Sequence, residues 1–588
     1  LRDFFSLSGH KGFLKGFLVA AVFVLIVISV VPVRYEANDD FGLISRLSGQ
    51  CGAGPDPLLP TLSVTLGWLL RCLYRALPDL PWYGLLVYSA AFLGMSLMLS
   101  VLFRTTQGLS MLFSLPLLGL LFFHVFSFAS FTSASLLLQL GVLLCLMEWV
   151  VRDECPARNE RLYACVLAFG FLLGFLLRWR MVLYTTAFGL PILFFLKRRQ
   201  LVRAIPFLAL VALAMIGDRA LFHLMSTDEH KAYMQYNRLR ARFHDTAWGD
   251  HHGDSTREAL RKAGWSREDY GFYKSWILYD NRRFNTETLR AFLRENEPKE
   301  ADSFVIGRWK RLRRQFHTGN HYALALAFAI LSILVCRLED FLRSSGKSKA
   351  RILLAVTIVA SGVLYVMGYR FVPRVFVPLY AYFFGVCFLL FHWTGNVSSD
   401  ARSRPVRKTV MLLSAIVFCA LTWWQAVVQG EMGYRILDRS SQEKEYIQKV
   451  LSAVGSSHAV PDPLLVLMNP MSGLGAEYVH PLKELSDFTD MEIFPAGWSV
   501  NSPAYASLLQ EMGLEDGWGF LAWMLDNPKA LLVMISRSGV ETWRWKALWE
   551  SYFQRRVAPN RRPRLVPVHD FRNAKGAGLV FFSMRSAN

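Results

Sequence analysis

The sequence predicts a mainly α-helical, polytopic membrane protein with about eleven transmembrane helices and a C-terminal extracytoplasmic α/β domain. Three observations predict it. Apolar runs of roughly spanning length recur along residues 1–428, in a chain that is 53% hydrophobic and only 19% charged. The short loops between those runs are basic on alternate sides. Beyond residue 428 the composition changes to short β-rich runs separated by helical stretches. A soluble protein of this length would carry more charge and would not repeat such runs.

The apolar runs cover residues 13–33, 83–103, 111–129, 131–151, 163–178, 181–196, 203–223, 322–337, 352–369, 374–395 and 409–428. The first follows the basic residues Arg2, Lys11 and Lys15. It is longer than the core of a secretory signal and lacks a small-residue cleavage site, so it reads as an uncleaved helix. With the N-terminus inside, Arg104 and the basic loops 152–161, 197–203, 337–351 and 402–408 all fall on the cytoplasmic side. That is the bias expected of a multi-pass protein. It also absorbs the net charge of +20, which no nucleic-acid-binding motif accompanies.

The outer face then receives loop 34–82, loop 224–321 and the segment 429–588. The first two belong to a membrane domain, 1–428, and the last is a soluble domain, 429–588. Residues 58–77 have apolar positions at helical spacing with Arg71 and Arg75 on the polar side. They read as an interfacial amphipathic helix or as a packed re-entrant piece. Residues 228–245 and 256–263 have helical composition, and 266–296 is an aromatic-rich cap for the membrane surface. In the last segment, β-rich runs at 464–468, 530–535, 564–568 and 578–584 alternate with helices such as 502–512 and 541–555, the pattern of a small α/β domain. It carries no glycine-rich nucleotide motif. Most of the eight cysteines lie in or beside apolar runs as packing residues. Only Cys51 and Cys72 are placed to share an oxidising face.

The chemistry gathers on the outer side. Asn38-Asp39-Asp40 puts two adjacent carboxylates at the membrane lip, where ionised groups are costly and mark candidate sites. Two tight turns on the same side carry paired arginines, Arg178 with Arg180 and Arg370 with Arg374. The planar guanidinium fork suits phosphate. Snorkelling to headgroups, or ion pairing with Asp39 or Asp40, is the plainer alternative. Asn237, Arg240 and Asp245 are spaced to share a helix face and to line a substrate groove. Asp250, His251, His252 and Asp254 are dense in ligand types but fit no standard metal spacing, and a solvated loop explains them as well. Tyr273, Trp276 and Trp309 offer faces to a sugar or belong to an interfacial aromatic belt. His124 and Glu148, near the ends of apolar runs, are either functional or snorkelling, and Asp218 and Arg219 read as a pair.

The whole architecture, with Asn38-Asp39-Asp40 directly after the first helix and the proline-flanked turn from Arg370 through Arg374 to Pro378, resembles the GT-C glycosyltransferases. These include protein O-mannosyltransferases, lipid A aminoarabinose transferases and mycobacterial arabinosyltransferases. The resemblance implies transfer of a sugar from a polyprenyl-phosphate donor to a cell-envelope acceptor (glycan, lipid or protein) on the extracytoplasmic face. It implies that Asp39 or Asp40 is the general base, with Glu36 a weaker third candidate. Here Asp-Asp stands where several relatives have Asp-Glu, which leaves base and positioning group unassigned. Arg178, Arg180, Arg370 and Arg374 would stabilise the leaving phosphate. A divalent cation, Mg or Mn, would help neutralise it, with no ligands assigned. The expected partners are the lipid-linked donor, the acceptor and membrane lipid, without nucleic acid. Compact loops and the lack of a eukaryotic retention signal favour a bacterial inner membrane. Two other classes compete. An O-antigen-type polymerase or ligase usually lacks a soluble C-terminal domain. A transporter would show inverted repeats and charges near the bilayer midplane, which are not evident.

Overall fold

The computed structural model describes residues 8–49 except 32 and 37, 54–105, 121–152, 160–193, 198–245, 249, 253–296, 374–386 in part, 464–467, 480–482, 492–494, 497–527, 530–536, 539–557, 562–570 and 578–586. Among them, three helices are long and apolar enough to cross a membrane, at Gly12–Val30, Trp82–Arg104 and Phe131–Trp149, and Arg161–Leu177 is a shorter apolar helix.

In chain order the membrane part begins with α1 (Ser8–Val30), β1 (Arg34–Tyr35), α2 (Asn38–Ser48), α3 (Val64–Ala76) and α4 (Trp82–Thr105). Helical residues 121–127 lead to β2 (Phe128–Ala129). Then follow α5 (Phe131–Arg152), α6 (Glu160–Leu177), α7 (Met181–Leu193) and α8 (Arg198–Met225). Each long helix matches a predicted apolar run to within a few residues. The runs 322–337, 352–369 and 409–428 lie outside the described residues, and within 374–395 the described parts up to residue 386 are helical. The spanning window of α5 is 94% buried and that of α1 only 17%. So α5 is the central post and α1 a peripheral helix, with Leu18, Val22, Leu25 and Ile26 facing outward. Small residues set the close approaches. A Cβ on Gly16 would sit 2.7 Å from the Ser100 nitrogen, and one on Gly141 would sit 2.7 Å from the Gly94 carbonyl.

The stretch read as the first outer loop is substantially folded. Asn38, Asp39 and Asp40 form the first turn of α2, where acidic residues are favoured by the helix dipole. Leu43, Ile44 and Leu47, at helical spacing, are buried. The predicted amphipathic helix starts later than expected, at Val64, because Pro57 and Pro60 hold the preceding chain extended and Ser63 caps the helix by accepting from Leu66 N. It buries Val64, Leu66, Gly67, Leu70 and Tyr74, so one whole face is packed against protein.

A second part contains α9 (Asp228–Asp245), α10 (Asp254–Ala263), α11 (Arg267–Lys274), α12 (Thr286–Glu295), α13 (Pro503–Glu511), α14 (Gly517–Asp526) and α15 (Gly539–Gln554). Its strands are β3 (Leu464–Leu467), β4 (Glu492–Ile493), β5 (Ala530–Ser536), β6 (Pro563–Asp570) and β7 (Gly578–Ser586), in the order β4-β3-β5-β7-β6. The first three are parallel, and β7 runs antiparallel to both β5 and β6. Pro563 and Pro567 lie on the edge strand β6, where a missing N–H is tolerated.

The aromatic-rich stretch packs into a protein core. Phe272, Tyr273, Tyr279 and Phe284 are fully buried in one core with Phe494, Phe520, Trp549 and Tyr552. Phe272 stacks on Tyr552 at 3.9 Å, and Tyr552 donates to Asp280 at 2.6 Å. An interfacial belt and a hydrophobic core call for the same residues, and only the tertiary partner separates them.

Candidate functional site

The site is assembled by a two-residue parallel ladder. Arg34 pairs with Phe128 and Tyr35 with Ala129, and Glu36 N donates to the Ala129 carbonyl at 2.9 Å. The ladder ties the chain leaving α1 to the chain entering α5. It thereby sets the first turn of α2 against the N-terminus of α5.

Asp40 points into that junction. Its Oδ1 accepts from Phe131 N at 3.0 Å and from the Tyr83 hydroxyl at 2.8 Å. The residue is completely buried, and its Oδ2 has no hydrogen-bond partner among the described residues. Burial pushes the carboxyl up to about 7. The Phe131 amide, the Tyr83 hydroxyl and Arg374 pull against that rise, while Asp39 adds to it. Asp40 therefore pins α2 and has no route to a solvent-borne group.

Asp39 is the next residue on the same turn, and its side chain is 41% exposed. The Arg374 guanidinium lies 3.8 Å away. Arg374 is itself positioned by Glu36, whose Oε1 accepts from Arg374 N at 3.1 Å. The other Glu36 oxygen is 3.8 Å from His124 Nε2.

Arg178 follows the last turn of α6. It lies over the Phe131 ring, 4.6 Å from the centroid, and donates to Thr132 Oγ1. Burial lowers its pKa to about 10, Asp39 opposes that, and the like charges of Arg374 and Arg180 reinforce it. It still carries its charge at neutral pH. Arg180 sits at the exposed rim, 5.5 Å over the Trp179 ring. Arg370 lies outside the described residues.

Of the predicted site residues, the structure thus gathers Asp39, Asp40, Arg178 and Arg374, with Arg180 beside them. Asn237 and Arg240 form a separate group on α9. Arg240 Nε donates to Asn237 Oδ1 at 2.8 Å, and the guanidinium lies 4.8 Å over the Trp276 ring. Asp245 ends α9 and is partly buried. The two groups are bridged by α2. Trp498 lies against Gly42, and Arg46 stacks over both Trp498 and Tyr233 while pairing with Asp56.

Sequence reasoning missed Arg46, Asp56 and Trp498, whose roles are set by tertiary contacts. Glu148 is not snorkelling: it is fully buried and takes two hydrogen bonds from Arg104 Nε and Nη2, at 2.9 and 2.5 Å. Asp218 accepts from the Thr65 amide and hydroxyl at 2.9 and 2.7 Å, and Arg219 lies over Trp179 at 4.2 Å. Cys72 is a free, exposed thiol, and Cys51, His251 and His252 lie outside the described residues. Among the described residues no three His, Cys, Asp or Glu side chains converge as metal ligands.

The arrangement offers one accessible carboxylate beside two guanidinium groups, at the mouth of a helical bundle. It is suited to holding an oxyanion and accepting a proton within a few ångströms of it. Comparison with protein-family models, with curated proteins and with solved structures finds no match.

Proposed function

We propose that the protein is a membrane glycosyltransferase that moves a sugar from a polyprenyl-phosphate donor to a cell-envelope acceptor. Asp39 is the general base and Asp40 a positioning residue. The acceptor oxygen attacks the anomeric carbon of the donor sugar. Its proton passes to Asp39, the bond from the anomeric carbon to the phosphate oxygen breaks, and polyprenyl phosphate leaves. Arg178 and Arg374 stabilise the charge that collects on that phosphate. The lipid tail stays among the helices, so the reaction needs no soluble nucleotide sugar. In this reading the N-terminus is cytoplasmic and the site faces outward from a bacterial inner membrane.

One observation carries the proposal: an exposed carboxylate stands 3.8 Å from an arginine, on a helix whose next residue is locked to the central post. A base needs access and a fixed position, and the two adjacent aspartates divide those requirements. The described residues give the expected divalent cation no ligand set, and no step is routed through one.

The experiment is transfer from a defined polyprenyl-phosphate sugar by the purified protein in detergent. Asp39→Asn should lose turnover while still binding donor. Full turnover in that variant would overturn the assignment.

A further inference from the structure

We infer that Arg240 anchors a second oxyanion subsite, one that takes an acidic group carried by the acceptor, a carboxylate or a phosphate ester. The word acceptor rests on the transfer reaction proposed above; the subsite rests on the surroundings of Arg240.

Three arginines with buried side chains among the described residues are neutralised by a carboxylate, whereas Arg178 bonds a threonine. Arg46 pairs with Asp56, Arg104 with Glu148 and Arg556 with Asp269. That is the expected solution, because a guanidinium out of water is costly without a partner charge. Arg240 is only 8% exposed and departs from the pattern. Among the described residues it has no carboxylate within ion-pair distance. Its hydrogen bond is from Nε to Asn237, its guanidinium lies over the Trp276 ring, and its charged neighbours are replaced by the phenols of Tyr233, Tyr236 and Tyr273.

The surroundings fix the group without satisfying it. Asn237 holds Nε, and the ring lies under the guanidinium plane. The two terminal nitrogens, the fork that grips an oxyanion, are left without a protein acceptor, and neither is sealed from solvent. Trp276 has φ of +64°, a left-handed conformation rare for a bulky residue. Such strain persists where surrounding structure imposes it and collects at ligand-binding positions. His244, one turn beyond Arg240 on α9, stacks on the same indole at 4.0 Å and keeps it in place.

The position favours the acceptor over the donor. A Cβ on Gly497 would lie 3.8 Å from Trp276, and the next residue, Trp498, lies against Gly42. Gly42 follows Asp39 by three residues on α2, so both lie on one side of that helix. Arg240 is therefore linked, through Trp276, Gly497 and Trp498, to the side of α2 that carries the base, and forms a group separate from Arg178 and Arg374.

The test is binding, independent of transfer. The full-length protein in detergent is titrated at low salt with glucuronate and with inorganic phosphate, reading thermal stabilisation. At least one probe should stabilise it saturably, and which one does so separates a carboxylate from a phosphate. Arg240→Met should weaken that event by about tenfold or more, while Arg257→Gln, at an exposed arginine outside both sites, retains it. Should Arg240→Met fail to fold, Arg240→Lys, which keeps the charge but not the fork, should still weaken the event. No saturable event, or one kept in both Arg240 variants, would overturn the subsite. Probe binding that behaves as expected while Asp39→Asn still transfers sugar would overturn the assignment of the base and leave the subsite standing.

Discussion

The two ends of α4 and α5 hold the same kinds of charge and use them oppositely. At one end Arg104 and Glu148 are buried and bonded through two guanidinium nitrogens at 2.5–3.1 Å. Each charge is consumed by the other, and nothing is left for a ligand. At the other end Arg374 approaches Asp39 only to 3.8 Å, Arg178 bonds to a threonine, and Asp40 is held by an amide and a phenol. Opposite charges sit close there without closing on one another. The difference teaches that composition alone does not mark a site in a membrane protein. What marks it is charge held in position without a close ion pair.

The largest expected effect breaks the open end. Asp39→Asn should reduce turnover by about 10²- to 10⁴-fold, the usual worth of a positioned base, with thermal stability unchanged. The closed end should respond in the reverse sense. Glu148→Ala strands Arg104 and should cost about 3–5 kcal/mol of stability, while any protein that remains folded keeps its donor affinity. Thermal denaturation and donor titration of the same two variants would sharpen the contrast.

Asp40 should give a smaller, pH-dependent effect. Its pKa rises from 3.8 to about 7 in the folded protein, so the fold holds its proton more tightly than the unfolded chain does. That contribution is full below pH 3.8 and is lost as pH rises through about 7, by at most about 4 kcal/mol. Melting temperature should fall across that window in the wild type relative to Asp40→Asn, whose residue cannot titrate. Parallel profiles would show that Asp40 is not the buried group described. Smaller still is Gly42→Ala. Its Cβ would lie 2.7 Å from Trp498, and shifting the ring should cost about 1–3 kcal/mol, measured as a lower melting temperature.

The membrane helices were legible because spanning length and apolar composition are local properties. The C-terminal strands were legible for the same reason, with 530–535 expected and Ala530–Ser536 found. The Asp pair was visible as a costly charge at a membrane lip, but not the division of labour within it. Adjacent helix residues point about 100° apart, and which one faces the bundle depends on Tyr83 and Phe131, distant in sequence. The core partners of the aromatic stretch were not legible because a belt and a core share one composition. Arg240 was marked by its spacing from Asn237, yet its lack of a counter-charge among the described residues is visible only in the fold.

The division between the two aspartates is tested most directly by chemical rescue. Asp39→Gly and Asp40→Gly are assayed for sugar transfer with and without formate, a small carboxylate able to enter a vacated site. Formate should restore part of the transfer lost in Asp39→Gly, where the missing carboxylate was exposed to substrate, and none in Asp40→Gly. Rescue at Asp40 with none at Asp39 would contradict the assignment and make the buried carboxyl the base.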